Sequence, residues 1–230
     1  MIEQTVTHHI QKFIVSTLIH RKYARFRDLR PPRADTNLFS YHLKSLIKNG
    51  FVDKTEKGYT LSSKGLAYVD GVSGNTVTVR HQPRIITMLL VQNSEGRVLL
   101  QKRTKQPYID AWTLPYGKMH IGDKSILKAA EREAFEKLLL KDQIIRHVGD
   151  CYIRVHVDNT ILSTTLAHIC RFETDDIIPD DTKIWVKPLS LSEYDLAPAV
   201  EQIITRSFFG DDHFFAEFDH QWSADEAPRR

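Results

Sequence analysis

GKMHIGDKSILKAAEREAFEKLLL, Gly117 to Leu140, is the stretch on which the reading of this chain turns. From about Ser125 onward it has the composition of a helix, and residues three or four apart on a helix share a face. Glu133, Glu136 and residue 137 therefore fall within one arc of about 100°. Two carboxylates on adjacent turns are hard oxygen donors of the kind magnesium prefers, but the third member of the arc is Lys137. The ammonium is expected to pair with Glu133 across one turn, and Arg132 with Glu136 likewise. A plainer reading also exists: Leu127, Ala130, Ala134, Phe135 and Leu138 supply the apolar stripe of an amphipathic packing helix whose charged side faces solvent.

Outward from this helix the pattern is strand-like. Arg84–Val91 and Arg97–Arg103 are apolar runs separated by the turn sequence Asn93–Gly96, and further runs lie at Tyr152–Val157 and Thr160–Phe172. A last helix is expected near Ala197–Phe208, before a tail, 211–230, in which aromatic and acidic residues alternate. Strands, a helix, more strands and a final helix predict a mixed sheet sandwiched by helices, over residues 84–210.

Residues 1–83 are compositionally different. They hold 13 Lys+Arg against 6 Asp+Glu, whereas residues 84–230 hold 19 against 23, so a basic half precedes an acidic one. Such asymmetry points to a polyanion-binding module joined to something else. Apolar positions Ile10, Phe13, Ile14, Thr17 and Leu18 predict one helix, and Phe26–Leu29 a short second. A third is capped by Asp35 or Thr36, packs through Leu38, Phe39, Leu43, Leu46 and Ile47, and stops at Asn49-Gly50. FVDKTEKGYTLSSKGLAYV then reads as strand, turn, strand and a Ser-capped helix. Between the halves, DGVSGNTVTVRHQP suggests a linker over 73–83, in which Thr76–Val79 could form a short edge strand.

Two resemblances follow from these residues. Residues 1–72 resemble winged helix-turn-helix DNA-binding domains, three helices followed by a β-hairpin wing. The resemblance implies a recognition helix from Thr36 to Lys48 that presents Thr36, Asn37, Ser40, Tyr41, Lys44, Ser45 and Lys48 to double-stranded DNA. Arg25, Arg27 and Arg33 would face the phosphate backbone, and Lys57 the wing. Trp112-Thr-Leu-Pro-Tyr-Gly together with Ala129-Ala130-Glu131-Arg132-Glu133 resembles a Nudix domain, whose box runs G-x5-E-x7-R-E-U-x-E-E-x-G-U with U a bulky apolar residue. The resemblance makes the whole chain α+β, a winged helix followed by a Nudix α/β/α sandwich.

By position, Gly117 matches the opening glycine, Asp123 the first glutamate, Arg132-Glu133 the R-E pair and Glu136 the next glutamate. The chain departs from the family pattern at Tyr116, in place of the first glycine of the common P-G-G that leads into the box, at Lys137 in place of the second glutamate, at Leu139-Leu140 in place of the closing G-U, and in an Asp123–Arg132 spacing one residue too long. The implied Mg²⁺ ligands are Gly117, Glu133 and Glu136, the two glutamates also being the catalytic pair if the domain is active. Carboxylates in Glu173–Asp176 or Asp180-Asp181 are candidates to compensate for Lys137. Arg103, Trp112, Lys118 and Arg132 are the expected ligand-binding residues. The combination resembles Nudix-related transcriptional regulators, in which the DNA-binding part follows the Nudix part rather than preceding it.

The function expected on these grounds is a homodimeric, cytoplasmic DNA-binding regulator whose Nudix-like part binds a nucleoside-diphosphate-type molecule with little or no hydrolysis. The alternative is a magnesium-dependent pyrophosphohydrolase with an accessory DNA-binding domain. No apolar run approaches the roughly 20 residues of a membrane helix. Cys151 and Cys170, without a second pair, are expected to be buried small hydrophobes rather than a disulfide or zinc framework.

Overall fold

Asp35 caps the third predicted helix by accepting from the backbone N–H groups of Asn37 and Leu38, both at 2.9 Å. A cap of this kind stabilises a helix by about 1 kcal/mol. The computed structural model describes residues 6–70, 72, 82–105, 107–157, 160–208 and 213–222. The chain forms two compact units, Met1–His81 and Gln82–Arg230. The linker expected at 73–83, with its optional strand Thr76–Val79, lies outside the described residues except for residues 82 and 83, as do residues 223–230 of the tail.

In the first unit, helix α1 (His9–Ile19), a 3₁₀ turn (Phe26–Leu29) and helix α2 (Thr36–Lys48) precede an antiparallel hairpin of strands β1 (Val52–Thr55) and β2 (Gly58–Leu61). Helix α3 (Ser63–Asp70) follows, its first turn satisfied by Ser62, whose hydroxyl accepts from Gly65 N–H at 3.0 Å and donates to the Gly50 carbonyl. Ile10, Ile14, Leu18, Leu29, Phe39, Leu43, Leu46 and Val52 form one apolar cluster. Leu38 and Phe13, expected in it, are exposed instead, and Val15 takes a buried place.

The second unit is built on an eight-stranded mixed sheet. Its strands are β3 (Arg84–Gln92), β4 (Val98–Lys102), β5 (Trp112–Thr113), β6 (Tyr116–Lys118), β7 (Arg146–Val157), β8 (Thr160–Glu173), β9 (Lys183–Val186) and β10 (Phe214–Gln221), with helices α4 (Ile126–Leu138) and α5 (Val200–Phe208). The path runs β10-β7-β8-β3-β4-β5, with β6 also paired to β3 and β9 to β4. From Ile86 to Val91 β3 is apolar apart from Thr87, because both faces of this stretch are covered. Ile86, Met88 and Leu90 join the cluster containing Val200, Ile203 and Ile204 of α5, while Leu89 and Val91 join the one containing Ala130, Ala134 and Leu138 of α4. One helix thus covers each face of the sheet. The alternating tail sequence is strand β10, which runs parallel to β7 from Phe214 opposite Gly149 to Gln221 opposite His156. Cys151 and Cys170 are buried and free, and burial pushes both thiols up to about 12. Among the described residues no helix is long and apolar enough to cross a membrane.

Candidate functional site

Helix α4 does not bury the stripe that its periodicity suggests. Its inward residues are Ala129, Ala130, Glu133, Ala134 and Leu138, whereas Leu127 and Phe135 are exposed. The small alanines let the helix lie close to the sheet, and the rotation carries Glu133 inside, where it is 2% exposed. Its carboxylate rests against the Cα of Gly117, in space that any Cβ at residue 117 would occupy. The opening glycine therefore has a packing reason: β6 can pass beneath the glutamate only without a side chain.

The expected Glu133–Lys137 pair is absent from the structure. Glu133 Oε1 accepts from Arg132 Nη1 at 2.5 Å, so its partner is the adjacent guanidinium rather than the ammonium one turn later. Arg132 is a hub. It binds Asp123 through Nε–Oδ1 at 3.1 Å and Nη2–Oδ2 at 2.9 Å, donates to the Lys118 carbonyl at 3.0 Å, and reaches Glu136 Oε2 at 3.3 Å, the i,i+4 pair the sequence suggests. The longer Asp123–Arg132 spacing does not prevent this fork, because His120 N–H also donates to Asp123 at 2.7 Å and turns its loop inward. Arg132 and that N–H together hold the Asp123 carboxyl down at about 2. In return Asp123 and then Glu133 raise the already high pKa of Arg132, so both groups stay charged throughout the working pH range.

These partners decide how well the group suits Mg²⁺. Magnesium takes near-octahedral oxygen ligation. Asp123, Glu136 and one oxygen of Glu133 are already committed to Arg132, while the other, Oε2, is buried with no hydrogen-bond partner among the described residues. One open carboxylate oxygen, with a guanidinium beside it and Lys137 four residues on, does not fit a hydrolytic magnesium set. The acidic residues considered as compensation stand elsewhere. Glu173 pairs with Gln92, five residues along β3 from the Thr87 that faces Gly117, a separation on the order of 16 Å. Asp175 caps Ser94, and Asp180 accepts from Thr182 and pairs with Lys183.

Beside Gly117 opens a cleft of about 560 Å³ lined by Arg84, Lys102, Arg103, Lys105, Lys118 and Lys137 with Gln101, Thr104, Thr113, Tyr116 and Gly117. No carboxylate lines it among the described residues. Tyr116, the residue just before the box, accepts from Arg103, whose guanidinium lies over the rings of Tyr108 and Tyr116 at 5.5 and 5.4 Å and also donates to the Pro107 carbonyl at 3.0 Å. Of the expected ligand-binding residues, Arg103 and Lys118 line this cleft. Arg132 is turned to its carboxylates, and Trp112 is not among the lining residues, its ring carrying Lys102 at 5.9 Å. Sequence reasoning missed Arg84, whose position at the start of a strand gave no signal.

In the first unit, Arg25, Arg27, Arg33, Thr36, Asn37, Tyr41, Lys44, Lys48 and Lys57 are exposed, and Ser40 and Ser45 half-buried. Tyr41, at 67%, is the most exposed large hydrophobic side chain of α2. Two of these groups have other bonds: Thr36 Oγ1 accepts from Arg30 at 2.8 Å, and Ser45 Oγ from Asn49 at 3.4 Å. Lys57 and Lys22 flank the Tyr23 ring at 5.7 and 5.9 Å.

The second unit is thus a mixed sheet with a helix on each face and a glycine strand seated beneath a glutamate of the R-E pair. Residues 82–207, more than half of the chain, match the NUDIX domain model, and the chain belongs to that family. No curated protein matches it by sequence. Among solved structures it is similar to a MutT protein from Bacillus halodurans, with TM-score 0.49 and 20% identity over 60% of this chain and 90% of that one. It is similar to the NUDIX domain of Shewanella oneidensis NrtR complexed with ADP ribose, with TM-score 0.47 and 15% identity over 62% and 96%. NrtR from the same organism complexed with a 27mer DNA gives TM-score 0.45 and 16% identity over 54% and 59%.

Proposed function

We propose that the chain is a DNA-binding transcriptional regulator whose NUDIX domain binds a nucleoside-diphosphate-type molecule with little or no hydrolysis. The observation that carries this reading is the cleft beside Gly117, with six cations and no carboxylate among its lining residues. A diphosphate needs its charge neutralised wherever it binds. In a hydrolase a metal held by carboxylates does this and also stabilises the reacting phosphoryl group. Here ammonium and guanidinium groups supply the charge, Lys137 from the very position where a carboxylate belongs, and nothing in the set generates a nucleophile. Arg84, Lys102, Arg103, Lys118 and Lys137 bind the phosphates in this reading, and Arg132 keeps the loop at Asp123 in place.

The N-terminal unit acts as a winged helix-turn-helix over residues 1–72, α2 entering the major groove with Asn37, Tyr41, Lys44 and Lys48 while the β1–β2 hairpin serves as the wing. Its exposed basic groups support this role, and paired half-sites call for a homodimer. A ligand regulates such a dimer by binding one arrangement of it better than another. The NUDIX domain spans residues 84–210 together with strand β10.

A second reading, a magnesium-dependent pyrophosphohydrolase, is favoured by one observation, the unpartnered buried Oε2 of Glu133. Thermal-shift measurements with ADP-ribose and other nucleoside diphosphates, with and without Mg²⁺, followed by product analysis, separate the two. Stabilisation without magnesium and without turnover supports the regulator. Magnesium-dependent turnover overturns it. No binding to duplex DNA at low salt removes the DNA-binding half of the proposal.

A further inference from the structure

Away from the cleft, strands β7 and β8 and the residue just before β10 bring three histidines onto one carboxylate. His147 Nε2 lies 2.9 Å and His168 Nδ1 2.5 Å from Asp150 Oδ1, and His213 Nε2 lies 3.3 Å from Asp150 Oδ2. One donor atom each from His147, Asp150 and His168 can be chosen so that all lie within 4.8 Å of one another. The rings of His147 and His168, and of His147 and His213, meet edge to face with centroids 5.4 and 4.8 Å apart. We propose that His147, Asp150 and His168 bind a divalent transition metal of the zinc class, with His213, which now contacts the other oxygen of Asp150, joining as a further ligand once the ion is in place.

The local fold goes out of its way to make this cluster. On a regular strand, residues 147 and 150 point to opposite faces, since side chains alternate. A register shift between His147 and Gly149 of β7 inserts one residue and restores them to a common face. Asp150 is directly opposite His168 across the β7–β8 ladder, and His213 immediately precedes β10, whose first residues pair with Gly149 and Asp150. Three imidazoles and a carboxylate are the donor types that zinc, cobalt and nickel accept, and a poor set for magnesium or calcium. A tetrahedral ion with bonds of about 2.0–2.1 Å holds its donor atoms roughly 3.3 Å apart, so an entering ion replaces the hydrogen bonds at Asp150 Oδ1, 2.9 and 2.5 Å long, and spreads those donors by less than about 1 Å. His213 is about half exposed, at 49%, and gives the ion a route in from solvent.

The site is separate from the box. Asp150, His168, Thr87 and Gly117 fall on one row across β7, β8, β3 and β6, so His168 stands two strands, about 10 Å, from Gly117.

The full chain, stripped with a chelator and titrated with Co²⁺ alone, tests the proposal. One equivalent of cobalt is expected to give the intense visible bands of a four-coordinate ion, and Zn²⁺ to displace it. His168→Ala should abolish the bands, and His213→Ala, at a half-exposed position that does not threaten folding, should weaken binding about tenfold or more. The metal-free melting temperature of each variant, matched to that of the stripped wild type, shows that the fold is intact. Absence of bands in the wild type overturns the proposal. So does equal cobalt affinity in wild type and His213→Ala, or bands that vanish with Glu133→Gln yet persist in His168→Ala.

Discussion

Leu139 carries a cost that the box glycine avoids. It closes α4 in the left-handed region, at φ 58°, and is 81% exposed, so its side chain gains little from packing there. A left-handed residue with a Cβ is disfavoured by about 1–2 kcal/mol, and glycine escapes most of that at the expense of a floppier unfolded chain. Leu139→Gly is therefore expected to stabilise the NUDIX domain by about 0.5–1 kcal/mol in denaturant unfolding. Lys137 is a different departure, since it lines the cleft proposed to hold the phosphates. Lys137→Glu should weaken ADP-ribose binding without magnesium about tenfold, near 1.4 kcal/mol, and should raise the affinity for Mg²⁺. Calorimetric titrations of nucleotide and metal check both halves, and unchanged magnesium affinity would sink this account of the lysine. At this scale the sequence was partly legible. Glu133, Glu136 and Arg132 were readable as a constellation, but not their partners, because the inward turn of Glu133 depends on the bare Cα of Gly117 from another strand.

Among the elements, the bounds of α2 were legible to the residue because their signals are local, a cap at Asp35 and a stop at Asn49-Gly50, while its apolar face was read correctly except at Leu38. β10 was not. Its period-two alternation is visible, but its partner β7 lies about sixty residues earlier, and no local rule selects a parallel pairing. The histidine cluster was missed for a related reason, since it needs two ladders and a bulge to assemble. The packing of α1 against α2 carries its own prediction. His42 of α2 is buried and stacks on His8 at 3.8 Å. Burial, then the nearness of His8 and His9, lowers its pKa below the usual 6.5. The folded unit thus prefers the neutral ring, while the unfolded chain binds the proton more readily. The stabilisation is complete above pH 6.5 and is lost as pH falls through that value toward the lower folded pKa. With the fall of the intrinsic exchange rate divided out, the protection of α2 amides against hydrogen exchange should drop between about pH 7 and pH 5, and His42→Gln should flatten that dependence.

For the whole molecule the division of charge matters most. A surplus of seven positive charges over residues 1–83 beside a deficit of four over 84–230 keeps the net charge at +3 while concentrating polyanion attraction in one part. Duplex binding is expected to fall linearly on a log–log salt plot, with slope about −0.9 per phosphate neutralised. Lys44→Ala or Arg33→Ala should each reduce that slope by about one, and Asn37→Ala should leave it unchanged while altering preference among sequences, as measured by fluorescence anisotropy on two duplexes.

The extra residue in β7 has a consequence for how such a chain diversifies. Deleting Val148 would restore regular alternation and swing His147 to the opposite face, leaving Asp150 and His168 paired as before. One codon lost or gained at a strand bulge can thus remove or install an ion ligand in a single inherited step, with no substitution among the liganding residues.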